Sequence, residues 1–307
     1  MIDLLVYIVV RGFVSLLNLL PLRSRISLMT GLVRTVTAVL PAFKRVSLRN
    51  LELAFPEKDS AWRHDIIRQS QSSLARVIVD FARLEELDEA WVRANVDCAF
   101  LPRFEEMKAA NPGKGIMIAT GHLGSFELLA HCVAMYGYPI SFVVRPFKLP
   151  KFNAWWTGIR EAAGNRAIMR KGAFKEVVAD LSSGRDVAIL FDQNVTRKHA
   201  VFVDWFGRPA ATTRTVALAA LRTEAPVIVA SMGFLGSDRY RISACECDFQ
   251  ALYADETISA DEKVLRMTQE LSKRYEDMIR QHPGEWFWMH KRWKTAPEGM
   301  QENFYKS

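Results

Sequence analysis

The chain has 307 residues, half of them apolar, and its 41 Lys and Arg against 34 Asp and Glu give a net charge of +7. This composition excludes a disordered or fibrous chain, and the length allows one large α/β domain or two smaller ones. Residues 1–50 hold seven basic residues and one acid, so the rest of the chain is almost neutral, which argues against a general nucleic-acid binder. Four cysteines are too few for a disulfide scaffold and predict reduced thiols in a cytosol-facing protein.

The N-terminal segment is apolar but interrupted. Residues 1–22 carry Arg11 at their centre, and the uncharged runs on either side are shorter than the roughly 20 residues that a membrane span needs. The polar residues share one helical stripe, namely Asp3, Tyr7, Arg11, Ser15 and Asn18. The helix could lie in the interface with this stripe towards headgroups, or span with the stripe packed on protein; a buried helix of the globular fold is the alternative.

A second amphipathic segment follows at residues 26–43, and Arg23 and Arg25 lie between the two, where they could meet lipid phosphates. Together these features predict a helical leader over residues 1–45 that associates with an anionic membrane surface. We expect residues 46–307 to form a single domain.

The body of the chain alternates between helical and extended patterns. The predicted helices are 61–84, 86–94, one starting near Ser125, 152–163, 173–182, 213–223 and 260–281. The predicted strands are 115–120, 140–145, 167–169, 186–191, 227–232 and 240–245. This rhythm predicts an α/β fold with a mainly parallel central sheet flanked by helices, preceded by the amphipathic extension. The tail at residues 284–294 mixes aromatic and basic residues, a composition that suits an interface, an acidic partner or the edge of the core.

Two histidines have an acidic residue five positions later, and this spacing is weak evidence alone. His199 and Asp204 flank an extended stretch and would point to opposite faces. His122 and Glu127 instead lie between an apolar strand and a helix, where Gly121 and Gly124 permit a tight turn and Ser125 can be the N-cap. We expect Glu127 to contact one imidazole nitrogen of His122, leaving the other as a general base at the carboxyl end of a strand.

An ordered set of sequence blocks resembles the bacterial lipid A late acyltransferases, the lauroyl/myristoyl transferase family. The blocks are RNLELAFP at 49–56, GHLGSFELL at 121–129, VRP at 144–146, RKGAF at 170–174, DQ at 192–193, WFGRPAATT at 205–213 and the ending 285–294. The resemblance implies that His122 and Glu127 are the catalytic pair. It also implies that Arg145 binds substrate or the oxyanion, that Asp192 supports the site, and that Arg170 belongs to the substrate-binding set.

The resemblance further implies a reaction. A hydroxyl of a membrane glycolipid, a lipid A precursor, would attack an acyl thioester on acyl carrier protein or coenzyme A, without a covalent acyl-enzyme, metal or other cofactor. The catalytic domain would lie on the cytoplasmic side of the bacterial inner membrane. A different glycolipid or an aminolipid acceptor, a thioesterase-like hydrolase and a non-catalytic membrane scaffold remain as alternatives. Because the body is nearly neutral, an acidic carrier protein would have to be attracted by a local basic patch.

Overall fold

The computed structural model describes residues 1–236, 238–300 and 304–305. Its helices are α1 (Ile2–Asn18), α2 (Leu22–Val39), α3 (Pro41–Ala54), α4 (Ser60–Ala82), α5 (Glu89–Asn95), α6 (Leu101–Ala110), α7 (Phe126–Met135), α8 (Pro150–Glu161), α9 (Ala173–Ser182), α10 (Thr215–Thr223), α11 (Gln250–Ala254) and α12 (Ala260–Gln281). Its strands are β1 (Val96–Asp97), β2 (Met117–Thr120), β3 (Ser141–Val144), β4 (Arg166–Met169), β5 (Val187–Leu190), β6 (Ala200–Trp205), β7 (Arg208–Thr213), β8 (Val227–Gly236) and β9 (Arg239–Cys247).

Seven strands form one central sheet in the order β1-β9-β8-β2-β5-β3-β4. All neighbouring strands in it are parallel except β8 and β9, which form an antiparallel hairpin. Strands β2 and β5 lie at its centre and are apolar along their length, as expected of strands covered on both faces. The prediction of an α/β fold with a mainly parallel sheet is therefore confirmed.

Helices cover both faces of the sheet and enclose separate apolar cores. One core packs α9, α10 and α12 against the sheet through residues such as Val177, Val216 and Leu271. The other packs α6 and α7 against the opposite face through residues such as Phe104 and Leu129. This layering leaves the carboxyl ends of the parallel strands free of helix, which is where α/β proteins bind ligands.

Two predicted helices have the bounds that their amphipathic pattern indicated, α9 and α12. The hydroxyl of Ser259 accepts a hydrogen bond from the Glu262 N–H and fixes the start of α12. Helices α3 and α6 were not predicted from the sequence, nor was the β6–β7 hairpin, which forms a separate two-stranded sheet. Helix α6 is missed because its apolar residues form only a weak stripe, with Phe104 and Met107 buried.

The polar stripe of α1 faces the protein at three points. Asp3 accepts hydrogen bonds from the backbone N–H groups of Lys151 and Phe152 at the start of α8, Tyr7 packs edge-on against Trp155, and Asn18 Nδ2 donates to the Ala82 carbonyl. The opposite side of α1 is apolar and open, with exposures of 61% at Leu5, 59% at Val9 and 67% at Leu16. Of the two arginines expected at lipid phosphates, Arg25 is turned inward onto Asn18 and Glu86, and Arg23 is exposed.

The leader merges with the body through α3, which contains the predicted boundary at residues 45–46. Its Asn50 is fully buried and donates to the carbonyls of Trp288 and His290, both at 2.7 Å. Among the described helices none alone is long and apolar enough for a membrane span, although α2 and α3, bent by 92° at their junction, would satisfy length and composition as a pair. The aromatic tail belongs to the core, since Trp286, Trp288 and Trp293 are buried.

Candidate active site

The turn after β2 brings His122 to the carboxyl edge of the sheet. At Gly121 a Cβ atom would lie 2.5 Å from Asp192 Cγ and 2.7 Å from the Tyr275 hydroxyl, so a side chain cannot be accommodated. Gly124 has φ +60°, and a Cβ there would lie 1.9 Å from the Met232 carbonyl oxygen. Gly121 is thus required by the close approach of two side chains, and Gly124 by its positive φ and the close approach of a backbone carbonyl.

The sheet register places Asp192 beside His122. Thr120 at the end of β2 pairs with Leu190 at the end of the parallel strand β5, and His122 and Asp192 each follow two residues later. His122 Nδ1 lies 2.8 Å from Asp192 Oδ1, and the His122 backbone N–H donates to Asp192 Oδ2 at 2.8 Å. The Trp286 indole N–H also donates to Oδ2, at 2.7 Å. The pair is therefore set by strand pairing and not by proximity in sequence.

Asp192 is held in its ionised form although it is only 1% exposed. Burial alone raises the pKa of this carboxyl, but the His122 ring and the donors of His122 and Trp286 outweigh it, so the net pKa lies below its ordinary value. An ionised carboxylate can only accept, so the proton of neutral His122 sits on Nδ1 and the lone pair on Nε2. The Gln193 amide nitrogen lies 3.2 Å from Nε2, where it can donate to that lone pair.

This geometry corrects the expected partner of His122, because Glu127 pairs with Arg160 instead. Arg160 Nε donates to Glu127 Oε2 at 2.8 Å, and Nη2 donates to the other oxygen. The guanidinium also lies over the rings of Phe81 and Trp156, 5.1 and 5.4 Å from their centroids. Glu127 sits in the first turn of α7 and faces α8, whereas His122 lies in the preceding turn and faces β5. Arg160 was not predicted as a site residue, because no sequence motif surrounds its position in α8.

The hydroxyl of Ser125 does not cap α7, although Ser125 occupies the predicted N-cap position. It donates instead to Asp80 Oδ2 at 2.8 Å, and the Ser125 backbone N–H donates to the Met232 carbonyl. Asp80 is fully buried and also accepts from Tyr240, Arg76 and Arg83. Ser125 thereby links the turn that carries His122 to the buried ionic cluster around Asp80 of α4.

A cavity of about 1460 Å³ opens beside His122, larger than the roughly 300–1,000 Å³ typical of small-molecule sites. One face of α7 lines it from Phe126 to Tyr136, a distance of about 15 Å at 1.5 Å per helical residue. Opposite this face stand apolar side chains of the sheet and α6, including Phe104, Ile140 and Ile228. Glu127 and Arg160 line the same cavity.

Basic side chains surround the polar part of the cavity. Arg145 follows β3 and Arg170 follows β4, the two strands that pair as Val144 with Met169, so both predicted residues come to one rim. Three further cations line it, Lys148, Lys171 and Lys294. All five are exposed, and in the described part of the chain none forms an ion pair. We call these five residues the basic rim; of the five, Arg145 and Arg170 were predicted as site residues from the sequence.

Comparison with known proteins gives one consistent result. The family model described as bacterial lipid A biosynthesis acyltransferase matches residues 2–295. A lipid A biosynthesis palmitoleoyltransferase of Escherichia coli (strain K12) is 24% identical over 264 residues, covering 84% of this chain and 82% of the relative. A phosphatidylinositol mannoside acyltransferase of Mycolicibacterium smegmatis is 24% identical over 249 residues, covering 80% and 78%. With its ordered sequence blocks, its cavity and a family match over nearly its whole length, this chain belongs to the bacterial lipid A biosynthesis acyltransferases.

Proposed function

We propose that the protein transfers a fatty acyl group from an acyl thioester to a hydroxyl of a lipid A precursor, with His122 as the general base. The observation that carries this proposal is an imidazole fixed by a buried carboxylate, with its Nε2 lone pair beside a long apolar cavity, where the acceptor hydroxyl would replace the Gln193 amide nitrogen at 3.2 Å. The shape of that cavity suits an extended acyl chain lying along α7. Family membership supports the transfer chemistry and the kind of acceptor.

The proposed reaction proceeds without a covalent acyl-enzyme. His122 Nε2 takes the proton of the acceptor hydroxyl as its oxygen attacks the thioester carbonyl carbon, and the carbonyl becomes a tetrahedral oxyanion. The oxyanion then collapses, the C–S bond breaks, and the leaving thiolate takes the proton back from the imidazolium. Asp192 holds the tautomer throughout and stabilises the imidazolium. In this mechanism Asp192 has the orienting role first expected of Glu127, and the Glu127–Arg160 ion pair positions substrate from the cavity wall.

The basic rim supports a phosphate-bearing donor or acceptor. Exposed Arg and Lys side chains without protein partners are suited to anions, and Arg145 and Arg170 can bind phosphate through two N–H groups each. An acyl carrier protein or coenzyme A would bring the thioester on a phosphorylated pantetheine arm. The rim is also the kind of local basic patch that an acidic carrier would need on a nearly neutral body.

The reaction is tested by mass spectrometry of membrane lipids from cells with and without the protein. We expect a lipid A species heavier by one acyl group with the wild-type chain, absent with His122→Ala and retained with His282→Ala, an exposed histidine after α12. Removing a general base typically costs a factor of about 10²–10⁴ in rate. The same comparison on purified protein should show thioester loss that depends on added lipid A precursor.

Different outcomes separate the alternatives. Acceptor-independent thioester loss would identify a hydrolase, and an added acyl group on another glycolipid would identify a different acceptor, as the mannoside acyltransferase relative illustrates. Unchanged lipids in the His122→Ala cells would contradict the catalytic role of His122 and favour a scaffold.

We further propose that α1 docks the protein on the cytoplasmic leaflet of the bacterial inner membrane. Asp3, Tyr7 and Asn18 of its polar stripe contact the body of the protein, so its apolar side is the one available to lipid. Apolar side chains of α2, among them Leu28, Leu32 and Val36, are exposed as well. In this arrangement the stripe is packed on protein, as in the spanning orientation considered for the leader, but the helix lies along the membrane surface, as in the interfacial one.

Docking is tested with a triple variant on one stripe of α1, Leu5→Ser, Val9→Ser and Leu16→Ser. Each substitution removes roughly 1 kcal/mol of apolar burial in lipid, so vesicle binding should weaken on the order of 100-fold in flotation with anionic vesicles. Leu235→Ser, at an exposed position on the β8–β9 hairpin, is the matched control and should bind as the wild type does. Undiminished flotation of the triple variant would assign membrane binding to another segment.

A further inference from the structure

A second histidine, His290, lines the same cavity as His122. The chain reaches it from the end of α12 through a segment anchored by buried Trp286 and Trp288. Its backbone carbonyl accepts a hydrogen bond from the buried Asn50 side chain. The ring is therefore carried on a rigid part of the fold and not on a loose terminal segment.

One nitrogen of the His290 ring has a fixed role. The Asn194 backbone N–H donates to His290 Nε2 at 2.9 Å. A backbone N–H can only donate, so Nε2 must carry the lone pair, and in the neutral ring the proton is on Nδ1. Within the described residues Nδ1 has no hydrogen-bond partner. It is not fully buried either, so a molecule in the cavity can reach it. His290 thus keeps an N–H donor free on a ring that borders the cavity.

Electrostatics keep this ring neutral. Burial lowers the pKa of His290 to about 4, and the opposing influence of Asp192 does not offset it. A neutral imidazole donor retains its proton across the physiological range and cannot exchange it with His122 as a competing acid.

Three consecutive residues after β5 hold both histidines in the same tautomer, with the proton on Nδ1, but they engage opposite nitrogens of the two rings. Asp192 accepts from His122 Nδ1–H, Gln193 contacts His122 Nε2, and Asn194 donates to His290 Nε2. The Asn194 side chain is fixed in turn by hydrogen bonds to and from Thr295, at 3.1 and 3.0 Å. The segment thereby leaves His122 with an Nε2 lone pair that faces the Gln193 amide, and His290 with an Nδ1–H that has no partner among the described residues.

We propose that His290 is a catalytic residue that donates its Nδ1–H to the thioester carbonyl oxygen and stabilises the oxyanion formed when the acceptor attacks. This inference rests on the proposed acyl transfer. It assigns to His290 the oxyanion role for which Arg145 was expected, and it leaves the exposed Arg145 as part of the basic rim. A preorganised, partly buried donor is more effective in this role than an exposed one, because it needs no reorganisation as charge develops.

Two substitutions test the roles of the two ring nitrogens of His290 separately. In His290→Gln the side-chain oxygen can reach the Nε2 position and accept from Asn194, but the Nδ1 donor is lost. In His290→Asn the amide nitrogen lies near the Nδ1 position and keeps a donor, while the contact with Asn194 is lost. A purely structural role predicts that Gln is the better replacement, whereas oxyanion donation predicts that Asn is.

The test measures kcat and KM of the full-length chain in detergent, with acyl carrier protein thioester and a lipid A precursor as substrates. We expect His290→Gln to lower kcat about 100-fold with little change in KM, the size of effect seen when one oxyanion donor is removed. His290→Asn should recover at least tenfold of that loss. Thermal unfolding of each variant and ¹⁵N NMR of the wild-type rings, with Nδ1 protonated in His290, complete the test.

The inference is overturned if His290→Gln stays within threefold of the wild-type kcat, if His290→Asn is no more active than His290→Gln, or if NMR finds the proton on Nε2. A wild-type chain without transferase activity would instead contradict the proposed function. The two failures are thereby distinguished.

Discussion

Replacing Asp192 with Asn is expected to lower kcat by about 10³–10⁴-fold with little change in KM, as the corresponding change does in Ser-His-Asp enzymes. The Asn side chain has one acceptor oxygen, and the His122 backbone N–H and the Trp286 indole both require it at the Oδ2 position. The amide NH₂ then faces His122 Nδ1, which must accept and so loses its proton to Nε2. With its proton on Nε2, His122 cannot act as a base, although each side chain stays close to its position.

The matched control for this prediction is Asp186→Asn, at the opposite end of β5. Asp186 is also buried, and it accepts from the Ile116 backbone N–H and from Lys108, both at 2.7 Å, away from the cavity lining. This control should lose stability and retain kcat. Steady-state kinetics with a lipid A precursor, together with ¹⁵N NMR of the histidine rings, checks both variants. An Asp192→Asn enzyme with near wild-type kcat would show that the orienting carboxylate is another one.

Replacing Asp80 with Asn is expected to destabilise the protein by about 3 kcal/mol and to reduce kcat about tenfold. The carboxylate is fully buried among Arg76, Arg83, Tyr240 and Ser125, and breaking such a buried pair costs roughly 3–5 kcal/mol. The lower end applies because Asp238 also contacts both arginines. Activity falls because Ser125, between His122 and Glu127, loses its acceptor or meets an amide donor.

Asp238→Asn provides the comparison. Asp238 shares the arginines with Asp80, but it lies at the turn between β8 and β9, is partly exposed and does not contact Ser125. We expect a loss of about 1 kcal/mol, the upper end for an ion pair that is open to solvent, and an unchanged kcat. Chemical denaturation and steady-state kinetics measure the two effects separately. Equal losses of kcat in both variants would show that the cluster does not act through the catalytic turn.

The sequence pattern was sufficient to predict an element wherever the residues of that element determine its structure by themselves. Helix α12 has a strong apolar stripe and a serine N-cap, and its bounds followed from these features. The turn around His122 was recognisable from its two glycines, which leave room for close neighbours of the turn. The antiparallel placement of β9 was not predicted, although residues 233–239 between the two predicted strands are too few for the crossover that parallel strands need.

The residues of the site also fall into two groups, those that the sequence identified and those that it did not. His122 was identified from its position between a strand and a helix, and Arg145, Arg170 and Asp192 from the resemblance of their blocks to a family. The partners were not identifiable: Asp192 is 70 residues from His122 and Arg160 is 33 residues from Glu127. The role of orienting His122 was assigned to Glu127, five residues away in sequence. The carboxylate that contacts His122 is Asp192, which follows the neighbouring strand β5.

The sequence by itself therefore determined the α/β class, the family, the apolar leader and the histidine at the end of a central strand, because each is encoded in a contiguous pattern. Only the tertiary structure decided which carboxylate orients that histidine, which way the polar stripe of the leader faces, and that His290 shares the cavity. These are consequences of strand register and helix packing, which join residues far apart in the chain and leave no periodic trace in it.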